Sequence, residues 1–392
     1  MLKRALTYLF STWLLLLFLL PVSVRWIDWS QSYPWLAEAE PLMGYFVAPD
    51  SLPLSRALWM EGQYQENAEA RIKFEFPYRP WLVRSYNQFK YDYLDEVNAR
   101  DVVKGKQDYL YEEDYIKAFL GEDFLGEEAI EEKVFKLRKV IDTLAHSNTK
   151  VLFIMASGKA TYLPEYLPPQ YDMRKKGPNN YETFRKYFQQ YEVPHIDINH
   201  YFLSMKDTVQ YPLYPRGGTH WSMYAVWKVA DTLLNKVEDL FVRPTVHYFY
   251  PGGPTDTIAR DADGDIARAA NLLHYPYNET LKYRWAELID KDSSLFRPNT
   301  LVIGDSYFWT LYGNFVPDNC FGPDWRFWYY GREIWLRNQR EDHNVSAIQD
   351  LRREFESRDL ILIMIAETNL KGCCMGFVEH AYELYFEGRP LR

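Results

Sequence analysis

Asn299-Thr-Leu-Val-Ile-Gly-Asp-Ser-Tyr-Phe-Trp-Thr-Leu, residues 299 to 311, is the stretch whose reading decides the fold. Leu301, Val302 and Ile303 make a short, wholly apolar β run that stops at Gly304. Phe308 and Leu311 beyond it stand at helical spacing, so the segment predicts strand, tight turn and helix. On such a turn the Ser306 hydroxyl projects from the carboxyl end of a strand. Gly304 lets another group approach the backbone, and the first amides of the helix face any developing negative charge. That is the place of a nucleophile. Asp305 and Ser306 would also serve as an ordinary helix cap, and the turn alone does not separate the two roles.

A second stretch supplies a base. Tyr214-Pro-Arg-Gly-Gly-Thr-His-Trp-Ser-Met-Tyr-Ala leads into a helical pattern of Ala225, Val226, Val229, Ala230 and Leu233. A Gly-Gly turn before Thr-His-Trp holds one imidazole at an exposed rim, with Trp221 beside it as a candidate substrate contact. The chain has 8 histidines, and only His220 sits in a loop of this shape. It is the candidate general base for Ser306.

Outward from these two points the chain alternates helix and strand. Ile130, Val134, Leu137, Ile141 and Leu144 recur at helical spacing, and Val151-Leu-Phe-Ile-Met follows as a strand apolar on both faces. A helix across Tyr181, Phe184 and Phe188 precedes a strand at Val193-Pro-His-Ile-Asp-Ile. With Leu301 to Ile303 and Leu360 to Ile365 these strands belong in a covered parallel sheet. The predicted fold is α/β, a three-layer flavodoxin-like sandwich, whose ligands bind at the carboxyl ends of the strands. Ser157, Asp197, Ser306 and Glu367 all fall there. Lys104-Gly-Lys-Gln-Asp-Tyr-Leu-Tyr reads as a hairpin with its turn at Gly105 to Asp108.

The 392 residues hold ample core, and 17% of them are aromatic, a composition suited to core packing and to an open cleft for sugar rings. A net charge of -9 with no basic run disfavours nucleic acid as a partner. Asp261-Ala-Asp-Gly-Asp has Gly264 in the wrong place for a calcium loop and no Glu at the required distance, so it reads as a surface turn. Cys320, Cys373 and Cys374 lack zinc spacing; Cys320 pairing with one of the adjacent two would leave an odd thiol. Neither a metal nor a cofactor is called for.

Residues 5 to 24 form an uncharged apolar segment preceded by Lys3 and Arg4. About 20 such residues span a bilayer, and the preceding charges favour a cytoplasmic amino terminus with the rest outside. No small-x-small cleavage site stands before Arg25, so an uncleaved anchor is expected rather than a signal peptide. The expected organisation is an anchor over 1–24, a juxtamembrane connector over 25–75 with a short helix near Leu54 to Gly62, and one domain over 76–392.

Taken together, the Ser306 and His220 stretches, the Lys104 segment, Ser157-Gly-Lys-Ala-Thr-Tyr-Leu-Pro-Glu-Tyr and the final strand ending Ala366-Glu-Thr-Asn resemble a known family. It is that of the SGNH-hydrolase-like O-acetyltransferases of exopolysaccharide acetylation, the alginate acetyltransferase group. The resemblance covers about residues 60 to 390, and it includes the order in which His220 precedes Ser306. It implies a polysaccharide acceptor and a membrane-bound O-acyltransferase that passes acetyl across the membrane. It also implies an Asp-x-His motif, and here Gly218 stands where that acid belongs. The candidates to replace it are Asp305, next to the nucleophile, then Glu367 and Asp197 at neighbouring strand ends. In the expected ping-pong chemistry His220 takes the Ser306 proton, and the Ser306 amide holds the oxyanion with Asn369 or Tyr330 as second donor. Lys159 could contact the acyl donor or an anionic sugar. A polysaccharide acetyl-esterase and a non-catalytic scaffold of a polymer-modifying complex remain as alternatives.

Overall fold

The apolar runs become the parallel part of a seven-stranded sheet because they carry side chains for two covered faces. The structure is a computed structural model that describes residues 8–16, 19, 41–44, 49–75, 79–250, 252–276, 279–283, 287–288, 294–337 and 339–388. Its strands are β1 (Lys150–Ala156), β2 (His195–Asp197), β3 (Thr300–Gly304), β4 (Arg326–Tyr329), β5 (Glu333–Leu336), β6 (Gln339–Asn344) and β7 (Leu360–Ala366). Their order across the sheet is β6-β5-β4-β3-β7-β1-β2. β4, β3, β7, β1 and β2 run parallel, and β5 and β6 extend the β4 edge as an antiparallel pair.

β7 lies at the centre of the five parallel strands, in register with β1 from Leu360 opposite Lys150 to Ala366 opposite Ala156. All of its residues are buried. Leu360, Leu362, Met364 and Ala366 join one core, and Ile361, Ile363 and Ile365 join the other. On the first face lies α3 (Met223–Phe241), begun by Ser222, whose hydroxyl accepts from the Ala225 N–H at 3.2 Å. On the second lie α1 (Glu127–Ala145) and α2 (Asn180–Gln190), which bury Ile130, Val134, Leu137, Ile141 and Leu144 and Phe184 and Phe188. Glu127 and Glu128 in the first turn of α1 favour its amino end. α4 (Phe308–Gly313) follows β3 after the turn that carries Ser306, and α5 (Phe377–Tyr382) closes the second face. This is the α/β three-layer arrangement expected from the sequence. The β4–β5–β6 extension was not read there, since Gln339–Asn344 is polar throughout.

The expected hairpin pairs Val102–Lys104 with Leu110–Glu112. The short helix near Leu54 is Arg56–Met60. By its contacts the chain forms two compact units. One takes residues up to Ala99 with Ala267–Tyr275, and the other, with the sheet, takes Arg100–Ile266 and Pro276–Arg392. Within the first, Tyr91 packs edge-on against Tyr275 and the Asn87 amide donates to the Ala270 carbonyl at 2.9 Å. Of the anchor expected over 1–24, residues 8–16 and 19 are helical and the rest lies outside the described residues. No helix among the described residues is long and apolar enough to cross a membrane.

Candidate active site

Ser306 stands on the turn between β3 and α4, where the opening stretch put it. Gly304 is required there: a Cβ on it would lie 2.8 Å from the Met364 carbonyl oxygen of the neighbouring β7. His220 arrives from the segment before α3, and its Nε2 lies 2.9 Å from the Ser306 Oγ. Its Nδ1 lies 2.7 Å from an oxygen of Asp265. A carboxylate oxygen accepts, so Nδ1 carries the hydrogen and Nε2 is left to accept from the serine hydroxyl.

The carboxylate on His220 is therefore Asp265, and not Asp305, Glu367 or Asp197, the candidates named from the sequence. It comes from the Asp261-Ala-Asp-Gly-Asp segment, read above as a surface turn. Its other oxygen accepts from the Thr219 N–H at 2.9 Å and the Ile266 N–H at 2.7 Å, which fixes the carboxylate against the imidazole. Asp263 in the same turn is fully buried and accepts from the Met223 N–H at 2.9 Å, so the turn is pinned to the start of α3. Gly218 has a reason as well. A Cβ there would meet the Ala262 carbonyl oxygen at 2.5 Å and the Asp263 carbonyl oxygen at 3.0 Å. The backbone that delivers Asp265 occupies the space that an acid at 218 would need.

The carboxylates favoured from sequence do other work. Asp305 is buried, and it accepts from the Ala366 N–H at 2.7 Å, the Asn369 side-chain amide at 2.9 Å and the Tyr307 N–H at 3.1 Å. It ties the nucleophile turn to the end of β7 and does not meet His220, because neighbouring residues on a turn point apart. Burial raises its carboxyl above the ordinary range. Glu367 is buried and accepts from Thr161 at 2.6 Å and from Asn199. Asp197 accepts from Tyr181 at 2.9 Å and pairs with Arg185 at 3.1 Å.

Two expected substrate contacts are corrected. Lys159 is only 2% exposed, and its ammonium donates to the carbonyls of Leu110, Arg216 and Gly218 at 2.7 to 2.8 Å. It ties the hairpin to the loop that carries His220 and has no donor left for a ligand. Trp221 is fully buried, and its Nε1 donates to the Thr310 hydroxyl at 2.8 Å. Tyr330 and Asn369 do lie at the site. The Tyr330 hydroxyl reaches both Ser306 and Asn369, its ring is 39% exposed, and burial of the hydroxyl pushes it up to about 12. The cleft in front of the serine has a volume of about 400 Å³ and is lined by His220, Met223, Asp265, Ser306, Trp309 and Asn314.

Cys320 does not pair with either of the adjacent two. Cys320 belongs to the core on one face of the sheet and Cys373 and Cys374 to the core on the other, so the sheet separates them.

A serine, a histidine and an aspartate held in one hydrogen-bonded line are the parts of nucleophilic acyl chemistry. Residues 102–318, which include all three, match the family described as SGNH hydrolase-like domain, acetyltransferase AlgX, over more than half of the chain. The chain belongs to that family. Among solved structures it is similar to the O-acetyltransferase domain of Pseudomonas putida AlgJ, with 16% identity, 72% of this chain and 99% of that one covered and a TM-score of 0.46. It is similar to Pseudomonas aeruginosa AlgX, with 13% identity, 71% and 67% covered and a TM-score of 0.43. It is also similar to Bacillus cereus PatB1 bearing a sulfonyl adduct, with 10% identity, 72% and 98% covered and a TM-score of 0.44. No curated protein matches the sequence.

Proposed function

We propose that the chain is an extracytoplasmic O-acetyltransferase that carries an acetyl group on Ser306 and passes it to a hydroxyl of a cell-surface or exported polysaccharide. The observation that carries this reading is the unbroken line from Ser306 Oγ through His220 to Asp265. His220 takes the hydroxyl proton as Ser306 attacks the acetyl carbonyl, and Asp265 stabilises the imidazolium that results. The negative charge on the tetrahedral oxygen is held by the Ser306 N–H, which has no acceptor among the described residues, and by the Tyr330 hydroxyl. The leaving group departs with the proton from His220, which then takes a proton from the acceptor hydroxyl as its oxygen attacks the acetyl-enzyme. Serine is regenerated and the sugar ester leaves.

A membrane-bound O-acyltransferase is the proposed acetyl source and residues 1–24 the proposed anchor, which places the sheet unit outside the cytoplasm. The first step is tested by incubating the protein with an activated acetyl ester and measuring its intact mass. One added acetyl is expected on Ser306 and none in Ser306→Ala. Adding an oligosaccharide acceptor is expected to clear the label as a sugar ester. A label that persists in the alanine variant overturns the nucleophile, and release of free acetate at the same rate with and without acceptor overturns transfer.

A further inference from the structure

Cys373 and Cys374 follow each other in the chain, are both fully buried, and hold their sulfurs 3.2 Å apart. The backbone around them is strained. Cys373, Cys374, Met375 and Gly376 have φ of +21°, +58°, +51° and +83°, a run of positive values in which only the last residue is a glycine. Positive φ is unfavourable for an L residue, so such a run persists only where something else imposes it.

The turn also bears on the site. A Cβ on Gly331 would stand 2.3 Å from the Met375 carbonyl oxygen, so the strained segment packs directly on the residue after Tyr330. Gly372, Met375 and Gly376 line an open groove of about 1110 Å³ that also includes Tyr330. A partner in that groove meets both flanks of the cysteine pair. Beside the thiols, Lys133 of α1 is paired with Glu379 of α5 at 2.9 Å.

We propose that Cys373 and Cys374 are a redox-modifiable vicinal dithiol that closes to a disulfide by exchange with a disulfide donor that reaches them from this groove when the turn opens. One thiolate attacks a sulfur of the donor disulfide and releases the first donor thiol. The other cysteine attacks its neighbour's sulfur in the mixed disulfide and releases the second. Two thiols of the chain are oxidised, one donor disulfide is reduced, and the two protons leave on the donor thiols. A disulfide bond is about 2.0 Å long, so the sulfurs need close by only roughly 1.2 Å. The bond joins adjacent residues at a separation below the usual range for disulfides, which makes it strained and readily reducible. Its place on the fold confers specificity, since Cys320 on the opposite face of the sheet is out of reach. Burial raises the Cys374 thiol well above its ordinary value, so exchange proceeds through opening of the turn and not on the closed surface.

The test is to incubate the full chain with oxidised glutathione under native conditions, then unfold it in acid, alkylate it and map the peptides. The peptide containing Cys373 and Cys374 is expected to lack the mass of two hydrogens and to carry no alkyl group. Dithiothreitol is expected to restore both alkylatable thiols, and Cys320→Ala to change nothing. Cys373→Ala and Cys374→Ala are each expected to end as a free or glutathione-bound single thiol. Two alkylated cysteines in the incubated wild-type chain, or one stable glutathione adduct there, overturn the proposal.

Discussion

Both ring nitrogens of His220 are engaged, one by Ser306 and the other by Asp265, and the second contact is the one on which the rate is expected to hinge. Asp265→Asn keeps the shape of the side chain but no longer fixes the tautomer or stabilises the imidazolium. Loss of that support in a comparable triad lowers kcat about 10⁴-fold, and a fall of this order is expected in the rate of Ser306 acylation. Asp305→Asn is expected to lower thermal stability, because three donors converge on that buried carboxylate. Stopped-flow acylation and thermal melting of the two variants side by side separate the roles. Equal acylation rates for Asp265→Asn and the wild type would dismiss Asp265 as the acid. Gly218→Asp returns the family's expected residue, yet its Cβ would press on the Ala262 carbonyl at 2.5 Å and drive the Asp265 turn outward. The variant is expected to lose acylation and melt earlier. A Gly218→Asp/Asp265→Asn double variant that works at the wild-type rate would show that either position can supply the acid.

At the scale of elements, the strand–turn–helix around Ser306 was legible because it is written in consecutive residues: an apolar run, a glycine, then helical spacing. The inner parallel strands Lys150–Ala156, Thr300–Gly304 and Leu360–Ala366 were legible for the same reason, since burial on both faces leaves a run with little polar interruption, whereas the parallel strand Arg326–Tyr329 was not read. The acid was not, because Asp265 lies 45 residues from His220 and belongs to a short turn with no period. Its one sequence signal was the close set of aspartates in a chain without calcium spacing. The buried polar ends of the strands give a pH prediction. Burial pushes the Glu367 carboxyl from 4.5 up to about 7, and Asp263 is likewise pushed up to about 7. Between 4.5 and 7 the folded chain keeps a proton that the unfolded chain releases. Stability from this group is therefore fully present below 4.5 and is lost as the pH rises through 7. The gap corresponds to roughly 3 kcal/mol when the carboxyl is fully ionised. Glu367→Gln removes the titration, so its melting temperature relative to the wild type is expected to climb as the pH is stepped from 4.5 to 8. Parallel melting curves across that range would show that Glu367 titrates normally.

At the scale of the whole molecule, the catalytic parts and the proposed anchor are separable. Ser306, His220 and Asp265 all belong to the unit made of Arg100–Ile266 and Pro276–Arg392, and the described residues of the apolar run, 8–16 and 19, belong to the other unit. The run is uncharged and is preceded by Lys3 and Arg4, an arrangement that in a membrane anchor would hold the amino terminus inside and send the remainder out. If residues 1–24 serve only as an anchor, deleting them leaves the acylation of Ser306 by a small soluble ester within a few-fold of the full chain, because the hydrogen bonds that join Ser306, His220 and Asp265 all lie within the sheet unit. The same deletion is expected to abolish polysaccharide acetylation in cells, since the proposed acetyl source is a membrane protein. A reporter fused after Arg392 is expected to be active only outside the cytoplasm, with the first 24 residues retained in the mature chain. The three readouts answer different questions. A soluble chain that begins near Arg25 would replace the anchor with a cleaved leader, and a reporter active inside the cell would place the serine on the wrong side of the membrane for this acceptor. Loss of soluble-ester acylation on deletion would mean that the amino-terminal segment helps to hold the site itself.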